Sequence, residues 1–176
     1  MGLELYHHGT LGMHWGIKLG PPYPLSKEAA GVNDLLKDLS SIQYKEFTTL
    51  MSPESVAKKK AGSCHDQTYF EATRLREIGV EPTIHFYIEA NKNGQGGATH
   101  SFISFNLSGK TYWMENAWES NKGLHSYQNK EQLKKDIKKL WEKNKKFPFL
   151  YSGTLDYSKL KPGMSLEDII NAVEFD

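Results

Sequence analysis

The spacing of apolar residues predicts helices in the first half of the chain. Apolar residues recur every three or four positions after Ser26, which is typical of an amphipathic helix with a serine at its start. Ser52-Pro53 indicates a second, short helix, because proline fits the first helical position. A third helix is predicted over about 64–78, and Gly79 supplies its stop because glycine readily adopts the left-handed conformation that ends many helices.

The second half of the chain changes to segments rich in β-branched and aromatic residues. Residues 82–88, 100–107 and 110–118 predict three strands, and Ser108-Gly109 favours a tight hairpin between the last two. The remaining predictions are a loop over 91–98, helices over 130–143 and 165–173, and a strand over 147–151. Helices followed by an antiparallel sheet indicate the α+β class.

Composition limits the kinds of protein that this chain can be. Its 176 residues suffice for one domain with a core, and we predict a domain over 25–176 that follows an N-terminal arm over 1–24. A net charge of +1 creates no field that would attract nucleic acid, so we expect no nucleic-acid partner. The chain has no apolar run of the roughly 18 residues that a membrane span needs, so we expect no membrane insertion.

The only cysteine, Cys64, stands at the start of the third predicted helix. A single cysteine forms neither an internal disulfide nor a thiolate zinc site alone, so a reducing, cytoplasmic compartment is expected. At a helix N-terminus the free N–H groups and the helix dipole favour a thiolate, and they can also hold an oxyanion. Because the thiolate is the form that attacks, Cys64 is a candidate nucleophile.

Two residues of the predicted hairpin are candidates for the base and for the group that orients it. His100 stands on the first hairpin strand as the candidate base. If the turn holds two residues, Glu115 lies diagonal to His100 on the same face of the sheet, within reach of a long side chain. Asn116 then points to the other face of the sheet. A turn of three residues would instead place Asn116 on the face of His100, so Asn116 is the alternative third member.

Each of these residues also has a simpler structural explanation. A lone cysteine is more often a small buried hydrophobe, and a histidine on a strand is more often a core or surface residue. His65 follows Cys64 directly, but adjacent helical positions point about 100° apart, which makes His65 a poor base for that sulfur. The combined placement of Cys64, His100 and Glu115 favours a thiol enzyme over the structural reading.

Four segments of the chain resemble the transglutaminase-like superfamily of papain-like cysteine enzymes. They are residues 62–64, 99–102, 112–118 and 123–127. The resemblance covers about 45–130 and implies a papain-like α+β core in which N-terminal helices pack on an antiparallel sheet. It also implies Cys64 as nucleophile, His100 as base and Glu115 as third member, with no cofactor and no metal. Glutamate departs from the aspartate that is usual at the third position.

The first hypothesis for the function is a cysteine enzyme, although the resemblance does not fix which reaction it catalyses. Cys64 would attack a protein or peptide amide and form a thioester, which water or an amine then resolves. The protein would accordingly be a hydrolase or an acyltransferase, namely a peptidase, a deamidase or a cross-linking transglutaminase. The alternative is a non-catalytic phage virion or interaction protein that uses the same fold as a scaffold.

The arm contains the pattern HHGxLGMxWG at residues 7–16, which is similar to a short motif of tailed-phage head-associated proteins. The similarity implies a phage or prophage origin, a location in the bacterial host cell or in the virion, and docking to a phage head protein through this segment. His7, His8 and His14 have no carboxylate or thiolate near them in sequence except Glu4, so we expect no metal site there.

Overall fold

The computed structural model describes residues 4–5, 17–18, 26–94 and 96–176. Within the predicted arm it places two short strands, β1 (Glu4–Leu5) and β2 (Ile17–Lys18), which pair antiparallel and which the sequence pattern did not predict. The predicted docking segment at 7–16, with its histidines, lies outside the described residues.

In the described residues, five α-helices accompany a six-stranded antiparallel sheet, which confirms the α+β class. The helices are α1 (Lys27–Ser40), α2 (Pro53–Lys59), α3 (Cys64–Glu77), α4 (Lys130–Asn144) and α5 (Leu166–Ala172). The further strands are β3 (Gln43–Tyr44), β4 (Ala61–Gly62), β5 (Pro82–Ala90), β6 (Gly96–Leu107), β7 (Lys110–Glu115), β8 (Gly123–Tyr127), β9 (Phe149–Leu155) and β10 (Val173–Phe175). The sheet has the order β10-β9-β5-β6-β7-β8, while β3 and β4 form a separate parallel pair.

Caps encoded in the sequence set the helix boundaries. The Ser63 hydroxyl accepts a hydrogen bond from the N–H of Asp66 and begins α3, and serines cap α1, α2 and α5 at the predicted positions. At the other end of α3, Gly79 has a φ of 83°. The N–H of Val80 donates to the carbonyl of Leu75 at 2.9 Å, which closes a Schellman motif. Gly79 therefore stops α3 as predicted.

The hairpin between β6 and β7 has the predicted register. Leu107 pairs with Lys110 across a two-residue turn. The φ angles of Ser108 and Gly109 are 50° and 78°, as a type I′ turn requires, and such a turn matches the natural twist of paired strands. The two-residue turn fixes the parity of every residue along both strands, which confirms the alternation assumed for the site.

Several strand boundaries differ from the predicted ones. β7 ends at Glu115 rather than at residue 118. As a result, β6 pairs with β7 only from Ile103 onward. β6 begins at Gly96, inside the segment predicted as a loop over 91–98. Strands β8 and β10 were not predicted, because short strands get their extended form from pairing with a neighbour rather than from a periodic pattern of their own.

Alternation along the strands builds two cores, one on each face of the sheet. The larger core lies between the sheet and α3, as the predicted packing of N-terminal helices on the sheet requires. The second core lies between the opposite face and α4, and it contains Tyr87, Phe102, Trp113, Leu133 and Ile137. Helices therefore cover both faces. No helix in the described part of the chain is long and apolar enough to cross a membrane.

His85, which is 1% exposed on the α4 side, makes the stability of the fold depend on pH. Its ring stacks on Phe102 at 4.7 Å, and Nε2 hydrogen-bonds with the Ser104 hydroxyl at 2.7 Å. Burial, helped by the positive charges of Lys130 and Lys134, lowers the pKa of His85 from 6.5 to about 3. The unfolded chain therefore binds a proton that the folded chain does not, so stability falls as the pH drops below about 6.5.

We predict that, between about pH 7.5 and pH 5, the free energy of unfolding falls by about 2 kcal/mol more in the wild type than in His85→Gln. Glutamine can still hydrogen-bond with Ser104 but takes up no proton. Urea denaturation followed by tryptophan fluorescence measures both curves. Parallel pH dependence of the two proteins would contradict the assignment of this proton to His85.

Candidate active site

Hydrogen bonds of one buried carboxylate fix the turn that precedes Cys64, the first residue of α3. Asp66 Oδ2 accepts from both the N–H and the hydroxyl of Ser63 at 2.8 Å, and Oδ1 accepts from the N–H of Met51 at 2.7 Å. Gly62 has no room for a side chain, since a Cβ there would lie 2.8 Å from Cβ of Asp66. The capping box thus holds Cys64 where its backbone N–H has no acceptor inside the helix.

The Cys64 thiol is 5% exposed and lies on the wall of a cavity of about 500 Å³. Its Sγ is 3.9 Å from the carbonyl oxygen of Thr99 on β6, in the part of that strand beyond the ladder with β7. Four aromatic side chains, Tyr44, Trp118, Trp141 and Phe147, line the same cavity. The thiol is therefore shielded from bulk water but open to a space large enough for a substrate.

Two imidazoles favour the ionised form of Cys64. Burial by itself would raise the pKa of the Cys64 thiol, but the charges and hydrogen bonds of His65 and His100 outweigh burial and lower the pKa from 9 to about 5. Above that pH the side chain is a thiolate, which is the nucleophilic form. The predicted nucleophile and the predicted base therefore meet in the structure.

His100 bridges Cys64 and Glu115 through its two ring nitrogens. Nε2 of His100 lies 2.8 Å from Oε2 of Glu115, which leaves Nδ1 as the nitrogen that faces Cys64. The ring stacks on Trp141 with centroids 5.5 Å apart, and it meets Trp118 edge to face at 5.8 Å. Stacking and the carboxylate together hold the imidazole in one orientation.

The charges around His100 also determine its protonation state. Burial by itself would lower the pKa of His100, but the Glu115 carboxylate and the Cys64 sulfur outweigh burial and raise the pKa to about 10. At neutral pH the ring is therefore an imidazolium between a thiolate and a carboxylate. Such a thiolate–imidazolium pair has already transferred the thiol proton before a substrate arrives.

The side chain that contacts His100 is that of Glu115, not that of Asn116. Its second oxygen, Oε1, accepts from the N–H groups of Ala117 and Trp118, each at 2.8 Å. These bonds leave the buried carboxylate with partners on both oxygens, which a buried charge requires. The structure therefore brings together Cys64, His100 and Glu115, the three residues that the sequence predicted as a group.

Asn116 points away from His100, as the register implied for the alternative third member. Its Nδ2 donates to Oε1 of Gln67 at 2.6 Å and to the carbonyl of Ile42 at 3.2 Å. Gln67 in turn donates to the carbonyl of Gly62 at 2.8 Å. Asn116 thus ties the end of β7 to the turn before Cys64 and has a structural part in the site.

Sequence reasoning missed several residues around this group. Trp141 was visible only as one member of the apolar stripe of α4, which gave no sign of its contact with His100. Glu71 on α3 is 2% exposed, and burial together with the nearby Glu115 charge raises its pKa well above the ordinary value. Its seven-residue spacing from Cys64, which returns to the same helical face, was the signal that could have identified it.

No protein family model matches the chain, and no curated protein matches its sequence. Membership of the transglutaminase-like superfamily therefore stays a prediction that depends on the quoted segments. Within the described ranges, no group of three or more His, Cys, Asp or Glu side chains is placed to hold a metal ion. The geometry defines the site as a buried thiol, imidazole and carboxylate beside an aromatic cavity.

We predict that iodoacetamide alkylates Cys64 with a pH midpoint near 5 rather than near the ordinary thiol value of about 8.5. In His100→Ala the midpoint should rise, because the sulfur loses a cationic neighbour. Cys64 is the only cysteine of the chain, so intact mass reports its alkylation without interference. A wild-type midpoint above pH 8 would show that no stabilised thiolate forms.

We also predict different effects of changes at Glu115 and Asn116 on the alkylation midpoint. Glu115→Gln should raise the alkylation midpoint, because His100 loses the charge that keeps it cationic. Asn116→Ala should leave the midpoint unchanged and lower stability by about 1–3 kcal/mol, because Gln67 loses a buried hydrogen-bond partner. The same alkylation assay and urea denaturation measure both, and the reverse pattern would make Asn116 the third member.

Proposed function

We propose that this protein is a cysteine-dependent enzyme of acyl transfer or hydrolysis, which attacks a protein or peptide amide and forms a thioester on Cys64. The observation that carries the proposal is that Cys64 and His100 interact on the wall of one cavity, while Glu115 hydrogen-bonds with the other ring nitrogen of His100. A histidine that only packs in the core does not require a thiol beside its second ring nitrogen. A nucleophile with its base and orienting acid needs this order of contacts.

The first chemical step is the attack of the Cys64 thiolate on the carbonyl carbon of the amide. A C–S bond forms and the carbonyl π electrons move to oxygen, which gives a tetrahedral oxyanion. The backbone N–H of Cys64 at the start of α3 supports this charge, because it has no acceptor in the helix and lies at the positive end of the helix dipole.

The second step breaks the C–N bond of the amide. His100 donates its Nδ1 proton to the leaving nitrogen, so the amine departs neutral and the acyl group stays on sulfur as a thioester. Glu115 keeps the ring oriented through Nε2 and stabilises its cationic form before the transfer. Trp118 and Trp141 pack around the ring and limit the access of water to it.

The third step releases the acyl group. Neutral His100 takes a proton from water or from an amine, the resulting nucleophile attacks the thioester, and the C–S bond breaks to restore the thiolate and imidazolium. Water gives a carboxylic acid, as in a peptidase or deamidase, and an amine gives a new amide, as in a cross-linking enzyme. The proposal includes both outcomes because the three side chains serve either acceptor.

We predict that p-nitrophenyl acetate transfers its acetyl group to Cys64 and that neutral hydroxylamine removes it, as expected for a thioester. Cys64→Ala should give no such adduct. His100→Ala should acylate and turn over at least about 10²-fold more slowly, since a general acid–base contributes about that much or more. Intact mass spectrometry measures the adduct, and a fluorescent primary amine in the same reaction separates transfer from hydrolysis.

Natural substrates can be trapped on the same thiol. Peptides that stay bound to Cys64 after acid quench, and that are absent with Cys64→Ala, identify the acyl donor. Equal acylation of Cys64 in the wild type and in His100→Ala would contradict the proposal and would favour a non-catalytic scaffold.

A further inference from the structure

A second imidazole, that of His65, is held rigidly beside the candidate nucleophile. Its ring stacks on Phe86 with centroids 5.4 Å apart. Its Nδ1 lies 2.9 Å from Oγ of Ser101, and its Nε2 lies 3.1 Å from Oγ1 of Thr99. Thr99 is also the residue whose carbonyl oxygen lies 3.9 Å from Sγ of Cys64. One residue of β6 therefore contacts both the sulfur and the second imidazole.

The hydrogen bonds around His65 accommodate a charged ring as well as a neutral one. The Ser101 hydroxyl donates to Oγ1 of Thr68 at 3.2 Å, so its oxygen is left to accept from Nδ1–H of His65. The Thr99 hydroxyl can accept from Nε2–H of the cation, because a hydroxyl serves as donor or as acceptor. An imidazolium at this position therefore keeps both N–H groups bonded, as a partly buried cation requires.

We propose that His65 is a positioning residue that stabilises the Cys64 thiolate by its charge, while His100 alone moves the protons of the reaction. This inference rests on the proposed function of Cys64 as nucleophile. Both nitrogens of His65 are occupied by hydroxyl groups, so neither can serve as the base for a substrate. The two histidines thus divide electrostatic stabilisation and proton transfer between them.

The influence of His65 agrees with the charges that act on the sulfur. Among the groups that lower the pKa of the Cys64 thiol, the charge of His65 makes the largest contribution, ahead of the hydrogen bond from His100. The other titratable groups that face this region are Tyr44 on β3, Asp66 and Glu71 on α3, Glu89 on β5, His100 on β6, Glu115 on β7 and Lys146 after α4. A change at His65 leaves all of these in place.

His65→Gln separates the charge of His65 from its packing. The glutamine amide can hydrogen-bond with Ser101 or Thr99 but carries no charge. We expect the pH midpoint of Cys64 alkylation by iodoacetamide to rise by about one unit, so the rate below the midpoint falls about tenfold. If His65 only packed against Phe86, its replacement would leave this midpoint unchanged in a folded variant.

Thr99→Val is the second variant, because valine has nearly the shape of threonine but no acceptor for Nε2–H of His65. It should shift the midpoint in the same direction by a smaller amount. His125→Gln is the matched control, since His125 is half-buried against Trp113 and lines no part of the cavity. Circular dichroism checks that each variant is folded.

The outcomes separate this inference from the proposed function. A low midpoint in the wild type that stays unchanged in folded His65→Gln and Thr99→Val would overturn the part given to His65 alone. A wild-type midpoint near the ordinary thiol value would overturn the thiolate, and with it both proposals. A rise in His65→Gln and Thr99→Val but not in His125→Gln supports the electrostatic effect of His65 on the thiolate.

Discussion

The buried hydrogen bond between Glu115 and His100 is the interaction on which the charges of the site depend. A buried imidazole without a partner would lose its proton, because burial disfavours the charged form. Glu115 reverses this preference, and its own charge is stabilised by the N–H groups of Ala117 and Trp118. The cationic His100 then stabilises the thiolate of Cys64. The carboxylate of Glu115 on β7 therefore influences the sulfur through His100, in addition to the charge of His65.

A second buried acid, Glu71, lies close to the pair of Glu115 and His100. Glu71 lies on α3 near both Glu115 and His100, and burial raises its pKa well above the ordinary value. Two ionised carboxylates close together would repel each other, so the raised pKa of Glu71 reduces the repulsion between Glu71 and Glu115. The site thus gives hydrogen bonds to both oxygens of Glu115, whereas burial disfavours the charged form of Glu71.

Local rules were sufficient for most of the framework around the site. Ser63 and Gly79 mark the ends of α3 through hydrogen bonds within a few residues, so sequence reasoning located that helix closely. The hairpin turn depends only on the positive φ angles of Ser108 and Gly109, and its two-residue length made the parity of Glu115 predictable. Strand β8 was missed, because its extended form depends on its pairing with β7.

The sequence by itself determined which residues can take part in the chemistry: one thiol at a helix start, and one histidine and one acid that a short turn places on the same face. These follow from helix caps and hairpin parity, which involve neighbours in the chain. Only the tertiary structure decided that α3 meets β6 at Thr99, that Trp141 of α4 stacks on His100, and that His65 is held by Ser101. Those contacts join elements far apart in sequence, and packing rather than periodicity sets them. The thiolate of the lone cysteine is favoured only where β6 brings His100 to it and holds the ring of His65, its neighbour in the chain, beside it.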